Sequence, residues 1–139
     1  SQRALEKLGF SAFSYSLEDE YLNIRNSSSP KGIICLFSRV PLFVSCIKPG
    51  IESNRDIFDP HRNCFFIEER NGLYYTLSKE TMCLFQRKKK LQEAGINRFL
   101  IDLSFIKPEE IPLQELIAAY KSGEKIPDSG IFNFKAGLK

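Results

Sequence analysis

The sequence predicts an α/β fold whose strands are mainly parallel, and three features support this. Helical and strand-like patterns alternate along the chain, and glycines end three of the helical stretches, which is the arrangement of βαβ units. The run from Ile33 to Phe37 is continuously apolar, as expected of a strand covered by helices on both faces. The dipeptide Asn71-Gly72 between two strand-like runs predicts an inserted β-hairpin.

Each element follows from its local pattern. The helices begin at residues that favour helix N-termini, such as Ser16, Ser78 and Pro108, and most end at a glycine. The segment 48–63 has little periodicity and is predicted to be a long loop. In chain order we predict a helix at 2–8, a strand at 10–15, a helix from Ser16, a strand at 33–37, an apolar stretch at 42–45, strands at 64–70 and 73–77, a helix at 78–94, a strand at 97–103 and a helix at 108–122.

The predicted sheet is incomplete on its own. Three core strands make a small sheet with open edges, so further partner strands are expected. The chain starts at Ser1 without a Met and opens directly into a helical pattern, as though an upstream part of a longer protein preceded it. We therefore expect one unit at 1–123, with the hairpin inserted at about 64–77, and an irregular tail at 124–139.

Composition places the chain among globular proteins of modest charge. Hydrophobic residues make up 42% of the sequence, and 20 Lys plus Arg against 17 Asp plus Glu leave a net charge of +3. This balance sets no expectation of nucleic-acid binding by itself. The one dense basic run, at 87–90, lies in a predicted helix. It is interpreted as a solvated helical face, with a phosphate contact as the alternative.

Cysteine usage and the lack of sorting signals predict a cytoplasmic protein with reduced thiols and no membrane partner. The four cysteines Cys35, Cys46, Cys64 and Cys83 form no CxxC pair. Cys35 lies within an apolar strand and Cys83 on an apolar helical face, so both are expected in the core.

Motifs of familiar catalytic centres are missing from the sequence. It contains no Gly-x-Ser-x-Gly elbow, no His-Glu-x-x-His and no glycine-rich phosphate loop. His61 is the single histidine, so any Ser-His or Cys-His catalysis within the chain would have to use it. Its position after Asp59-Pro60 is also typical of an ordinary surface turn.

The segment from Phe37 to Cys46, which contains Arg39 and Pro41-Leu42, resembles a Gly-Arg-x-Pro-Leu motif of the collagenase-like peptidase family (peptidase U-32). The flanking segments are similar in the same order. Residues 15–18 resemble the family's Leu-Ser-x-Glu-Leu, residues 65–72 resemble its Phe-x-Ile-x-(Asp/Glu)-Arg-x-Gly, and residues 91–102 resemble its following helix and strand. The resemblance spans about 1–122 and depends on the order of these pieces.

The resemblance implies a partial (β/α) TIM-type barrel whose first half lies upstream of Ser1. Sites in such barrels lie at the C-terminal ends of the strands, which singles out Glu18, Arg39 and Asp102 as candidate catalytic residues. Arg39 is suited to clamp a carboxylate or phosphate with its planar guanidinium group. The alternative for each of the three is a structural ion pair.

Some family members hold an iron–sulfur cluster through cysteines, and Cys46 and Cys64 match such positions. Thiolates are soft ligands that suit these clusters. The sequence lacks a third cysteine close to Cys64, so His61 is a possible substitute, or the third ligand of a zinc site. Plain loop cysteines remain the alternative.

Two functions follow from these observations. The first is a peptidase U-32-like protein, a hydrolase by family label, acting on a protein or RNA-linked substrate at the barrel mouth. The second is a non-catalytic accessory module that binds an upstream barrel half or another subunit. An exposed apolar patch would favour the second function.

Overall fold

A computed structural model of the protein describes residues 7–135. The helix predicted at 2–8 lies almost wholly outside this range. Between residues 7 and 135, the α-helices are α1 (Tyr21–Asn26), α2 (Lys88–Glu93) and α3 (Leu113–Ser122), and the strands are β1 (Phe13–Ser14), β2 (Gly32–Ser38), β3 (Pro41–Ser45), β4 (Ile57–Phe58), β5 (Cys64–Arg70), β6 (Leu73–Ser78), β7 (Thr81–Cys83), β8 (Arg98–Ile101) and β9 (Ser129–Gly130). Short 3-10 turns occupy Phe85–Arg87 and Phe132–Lys135. None of the helices in the described range combines the length and the apolar run needed to cross a bilayer.

Five strands form one sheet, which we call the mixed sheet (β1, β2, β7, β8 and β9), with β2 at its centre. β8 pairs in parallel with one edge of β2, while β1 pairs in parallel and β7 antiparallel with the other edge. β9 extends the sheet beyond β7. The apolar run in β2 is therefore a central strand, which agrees with the buried strand expected at 33–37.

The predicted partial TIM-type barrel with mainly parallel strands is wrong, although two of its strands are adjacent and parallel as expected. β2 and β8 pair from Ile33 with Arg98 to Phe37 with Ile101. The remaining strands do not continue a parallel barrel, because four of them form a separate antiparallel sheet. The protein is a small two-sheet α/β structure.

The barrel fails for two local reasons. Only Arg39 and Val40 separate β2 from β3, whereas a parallel crossover needs a dozen or more residues. The second reason is the segment 78–94, predicted to be one long helix. Its residues 81–85 are all buried, so they form β7 and the start of a 3-10 turn, and the helix is confined to α2.

The second sheet, which we call the antiparallel sheet, has the strand order β3-β6-β5-β4. β5 and β6 form the hairpin that Asn71-Gly72 predicts. Both turn residues have positive φ, 53° for Asn71 and 77° for Gly72, as a type I′ turn requires. The predicted loop at 48–63 contributes the short strand β4, which pairs with the start of β5.

The hydrophobic core lies mainly with the mixed sheet and its helices. Each α-helix buries one side chain, namely Ile24, Leu91 and Leu116. α3 begins at Leu113, later than predicted, because the residue before Pro112 is disfavoured in helical conformation. The other buried apolar side chains of this core are Ile34, Leu36, Phe37, Val40, Met82, Cys83, Leu84, Phe85, Ile96, Ile126 and Phe134.

Candidate functional site

Arg39 lies where the chain passes from the mixed sheet to the antiparallel sheet, and it is 8% exposed. Its Nη2 donates to Glu110 Oε2 at 2.6 Å and its Nη1 donates to the carbonyl oxygen of Phe105 at 3.0 Å. The guanidinium carbon lies 5.4 Å from the centroid of the Phe66 ring on β5. Arg39 thus holds three parts of the protein together: the end of β2, the antiparallel sheet and the 102–112 loop.

The cleft beside Arg39 has a volume of about 510 Å³ including its open mouth. Its charges are largely paired, since Lys79 contacts Asp56 at 2.6 Å and Arg39 contacts Glu110. The hydrogen bond from Arg39 is the main cause that lowers the pKa of Glu110. Because both Nη atoms contact the protein's own oxygens, the geometry favours a structural ion pair over the predicted substrate clamp.

Arg39 also carries an unsatisfied donor. Its Nε is buried and has no hydrogen-bond partner among the described residues. Such a group costs free energy when it is removed from water without a partner. The cation–aromatic contact with Phe66 offsets part of this cost.

Asp102 follows β8 and is held by its own loop. Its backbone N–H donates to the Phe37 carbonyl oxygen at 2.8 Å, and its Oδ1 accepts from the Ser104 N–H at 2.9 Å and the Ser104 hydroxyl at 2.6 Å. This pattern is typical of an aspartate that stabilises a turn. The side chain caps the loop that carries Phe105 and Glu110 towards Arg39.

Cys35 lies in β2 opposite Leu100 of β8, and its thiol donates to the Phe37 carbonyl oxygen at 3.3 Å. Burial raises the pKa of the Cys35 thiol, and the negative charge of Asp102 raises it further. A raised pKa favours the protonated thiol, which is a poor nucleophile. Cys35 is therefore suited to a packing role.

Among the described residues, Glu18 forms no hydrogen bond or ion pair with Arg39 or Asp102. β1 ends at Ser14 opposite Ile33, five residues before β2 ends at Ser38. At 3.3 Å per residue, β1 therefore stops roughly 17 Å short of the end of β2. Glu18 lies four residues beyond the end of β1 and is exposed, whereas Arg39 and Asp102 directly follow the neighbouring strands β2 and β8.

The predicted metal ligands Cys46, Cys64 and His61 do not share a site. Cys46 follows Ser45, which pairs with Tyr74, and Cys64 precedes Phe65, which pairs with Ser78. The two thiols therefore flank opposite ends of β6, separated along that strand by at least roughly 13 Å. These residues do not fit a common iron–sulfur or zinc site, and residues 7–135 contain no cluster of three or more His, Cys, Asp or Glu side chains able to hold a metal ion.

His61 lies in a turn organised by Asp59. The Asp59 Oδ1 accepts from the backbone N–H groups of His61 and Asn63, each at 2.8 Å, and its Oδ2 accepts from the Asn63 side chain at 2.7 Å. These bonds, chiefly that from the Asn63 side chain, lower the pKa of Asp59. The local geometry thus agrees with the surface-turn alternative for His61.

An open apolar strand edge at β3 was not expected from the sequence. β3 pairs with β6 on one side, and no strand within residues 7–135 pairs with its other side. Phe43 is 71% exposed, Val44 56% and Ile47 80%. Because successive side chains of a strand point to opposite faces, Phe43 and Val44 show that both faces of the sheet are uncovered at this edge.

The β3 edge also lacks the usual protection. Natural proteins place charged residues on exposed edges to prevent pairing with other chains, yet the segment 41–46 contains no charged residue. Pro41, a residue confined to edges and strand starts in sheets, was the available sequence signal for an edge strand. The same residue belongs to the segment that resembles the family motif.

No family model, curated protein or solved structure matches this chain. Membership of the collagenase-like peptidase family therefore stays a prediction that depends on the order of the segments between residues 15 and 102.

Proposed function

We propose that this chain is a non-catalytic interaction module that assembles through the open edge of β3. The observation that carries the proposal is the exposure of Phe43, Val44 and Ile47 beside an unpaired strand edge. Exposed apolar side chains next to free backbone N–H and C=O groups are the two parts of a strand-addition surface.

A second copy of this chain is the occupant that β3 itself favours. Two β3 strands related by a two-fold axis pair antiparallel, with Phe43 opposite Phe43 of the second copy and Leu42 opposite Val44. Aromatic and β-branched pairs of this kind stabilise antiparallel strands. The absence of charge in 41–46 means that no like charges meet across the new pair.

The peptidase function that the resemblance implies draws less support from the geometry. Arg39 contacts Glu110 and Phe105 of its own chain. Glu18, which is also among the described residues, forms no hydrogen bond or ion pair with Arg39, and the predicted metal ligands do not meet. The β3 edge, by contrast, is already exposed and unpaired among the described residues.

Sedimentation equilibrium over a range of protein concentrations tests the proposal. We expect a reversible monomer–dimer equilibrium for the wild type and at least about a tenfold weaker dimer for Phe43→Lys, because two like charges would then face each other. Phe58→Lys is the matched control, since Phe58 is 64% exposed on β4 at the other edge of the same sheet. A wild type that stays monomeric at millimolar concentration, or an equal loss in both variants, would contradict the proposal.

A further inference from the structure

A groove with basic walls lies between α1, the turn leading into α2, and the segment 131–134. Its cavity volume is about 410 Å³. We call it the basic groove, and the described residues that line it are Tyr21, Leu22, Arg25, Arg87, Lys90, Ile131 and Phe134. It is a different surface from the Arg39 cleft and from the β3 edge.

The charge of the basic groove is one-sided. Arg25, Arg87 and Lys90 line it, and no Asp or Glu side chain is among the described lining residues. Elsewhere in the described part of the chain, Arg39, Arg70 and Lys79 each contact a carboxylate, whereas none of the three groove cations forms an ion pair there. Like charges held together repel, and an anion placed among them removes that repulsion.

One wall of the basic groove is aromatic and apolar. The rings of Tyr21 and Phe134 lie 5.6 Å apart between centroids, and Lys90 Nζ lies 3.9 Å from the centroid of the Tyr21 ring. Phe134 is buried and packs against the Tyr21 ring. Leu22 is exposed at the rim. Because Lys90 Nζ covers one face of the Tyr21 ring, a flat apolar group would pack beside that ring and Leu22 rather than stack on that face.

We propose that the basic groove binds a small phosphorylated ligand that carries a flat ring, of the mononucleotide class. Two arginines and a lysine supply the donors that a phosphate prefers, since a guanidinium group can bond two phosphate oxygens at once. The apolar part of the wall beside Tyr21, which includes Leu22 and Ile131, takes the ring. The cavity volume of about 410 Å³ lies in the range of small-molecule sites, which is roughly 300–1,000 Å³.

The four residues of the basic run at 87–90 do not all face the groove. Lys88 does not line the groove. Its Nζ instead donates to the Tyr120 carbonyl oxygen at 2.6 Å. Lys89 is exposed and does not line the groove, whereas Arg87 and Lys90 do. The phosphate-contact alternative for this run therefore applies to two of its four residues.

Calorimetric titration of the full chain with adenosine monophosphate, inorganic phosphate and adenosine tests the proposal. We expect saturable binding of adenosine monophosphate that is at least about tenfold tighter than that of either part, because the cations and the ring wall act together. Raising the salt concentration should weaken it. No saturable binding of adenosine monophosphate would overturn the proposal, and phosphate binding equally well would overturn the ring-binding part.

Matched variants locate the site. We expect Lys90→Gln to weaken adenosine monophosphate binding about fivefold, because it removes one positive charge beside the phosphate. Lys90→Arg keeps that charge and should bind as the wild type does. Lys89→Gln, the same change one residue away, should alter binding less than about twofold because it does not line the groove. Circular dichroism checks that each variant is folded. An equal loss for Lys89→Gln and Lys90→Gln would overturn the assignment to this groove.

Discussion

The two sheets of this protein use similar apolar strands in opposite ways. In the mixed sheet, Leu36 and Phe37 of β2 are fully buried. In the antiparallel sheet, Ile67 and Leu77 are buried, while Phe43 and Val44 of β3 are exposed. An apolar strand becomes core only when helices or another sheet cover it, and β3 has no such cover in the described part of the chain.

Arg39 stands at the boundary between these two regions. It follows β2 directly, contacts Phe66 of the antiparallel sheet and binds the 102–112 loop. A buried cation at this position joins a well-packed region to an open one. Substitutions in the two regions, and at Arg39 between them, should therefore differ in their cost to the free energy of unfolding.

The largest expected difference in the free energy of unfolding is between substitutions of two phenylalanines on β2 and β3, strands that are consecutive in the chain but belong to different sheets. Phe37→Ala should lower the free energy of unfolding by about 3–5 kcal/mol, because it removes a fully buried ring and leaves a cavity. Phe43→Ala, the same change at a 71% exposed position, should alter it by less than about 0.5 kcal/mol. Urea unfolding followed by circular dichroism measures both, at concentrations where each variant is monomeric. Similar losses in the two variants would show that β3 is covered.

A smaller effect is expected at the boundary between the sheets. Arg39→Ala should lower the free energy of unfolding by about 2–3 kcal/mol, since it leaves Glu110 and the Phe105 carbonyl without their partner. Arg70 is a matched control, because it contacts the same loop through the Ser104 carbonyl oxygen and the Phe105 ring but is more exposed. Arg70→Ala should cost less than about 1 kcal/mol by urea unfolding. The reverse order would mean that Arg39 does not join the two regions.

The smallest effect concerns pH. The pKa of Glu110 is lowered in the folded state, chiefly by the hydrogen bond from Arg39. Its contribution to stability is therefore present above its ordinary pKa and is lost as pH falls through the folded pKa. Between pH 6 and pH 3, wild type should lose up to about 1 kcal/mol more than Glu110→Gln, a small value because the Glu110 side chain is 35% exposed.

Urea midpoints across this pH range measure the difference. Glu109→Gln leaves the Arg39 contact in place and should follow the wild-type curve. Identical pH profiles for wild type and Glu110→Gln would show that the ion pair adds nothing to stability.

Much of the local structure was predictable because its signals are local. The Asn71-Gly72 turn needs two residues that accept positive φ, and the run at 33–37 needs burial on both sides; both requirements are visible in the sequence. The structure of the segment 78–94, predicted as one helix, was not predictable in the same way. Its buried residues 81–85 fit a helix or a strand by composition, and only pairing with β2 and β9 decides between them.

The candidate site was less predictable than the fold. The sequence singled out Arg39, and the structure shows it buried and bonded, but to its own chain rather than poised for a ligand. Glu18 and the predicted metal ligands were grouped by an implied barrel that does not form. The basic groove brings together residues from positions 21 to 134. Because these residues are far apart in the sequence, no local pattern predicts that they meet.

By itself, the sequence determined the turns, the central apolar strand and its parallel neighbour, because these depend on φ preferences and on the burial of short runs. The tertiary structure alone decided which apolar strand is covered and which cations converge. Both depend on the path of the chain after Arg39, where a two-residue connection leads β3 into a second sheet and leaves its outer edge open.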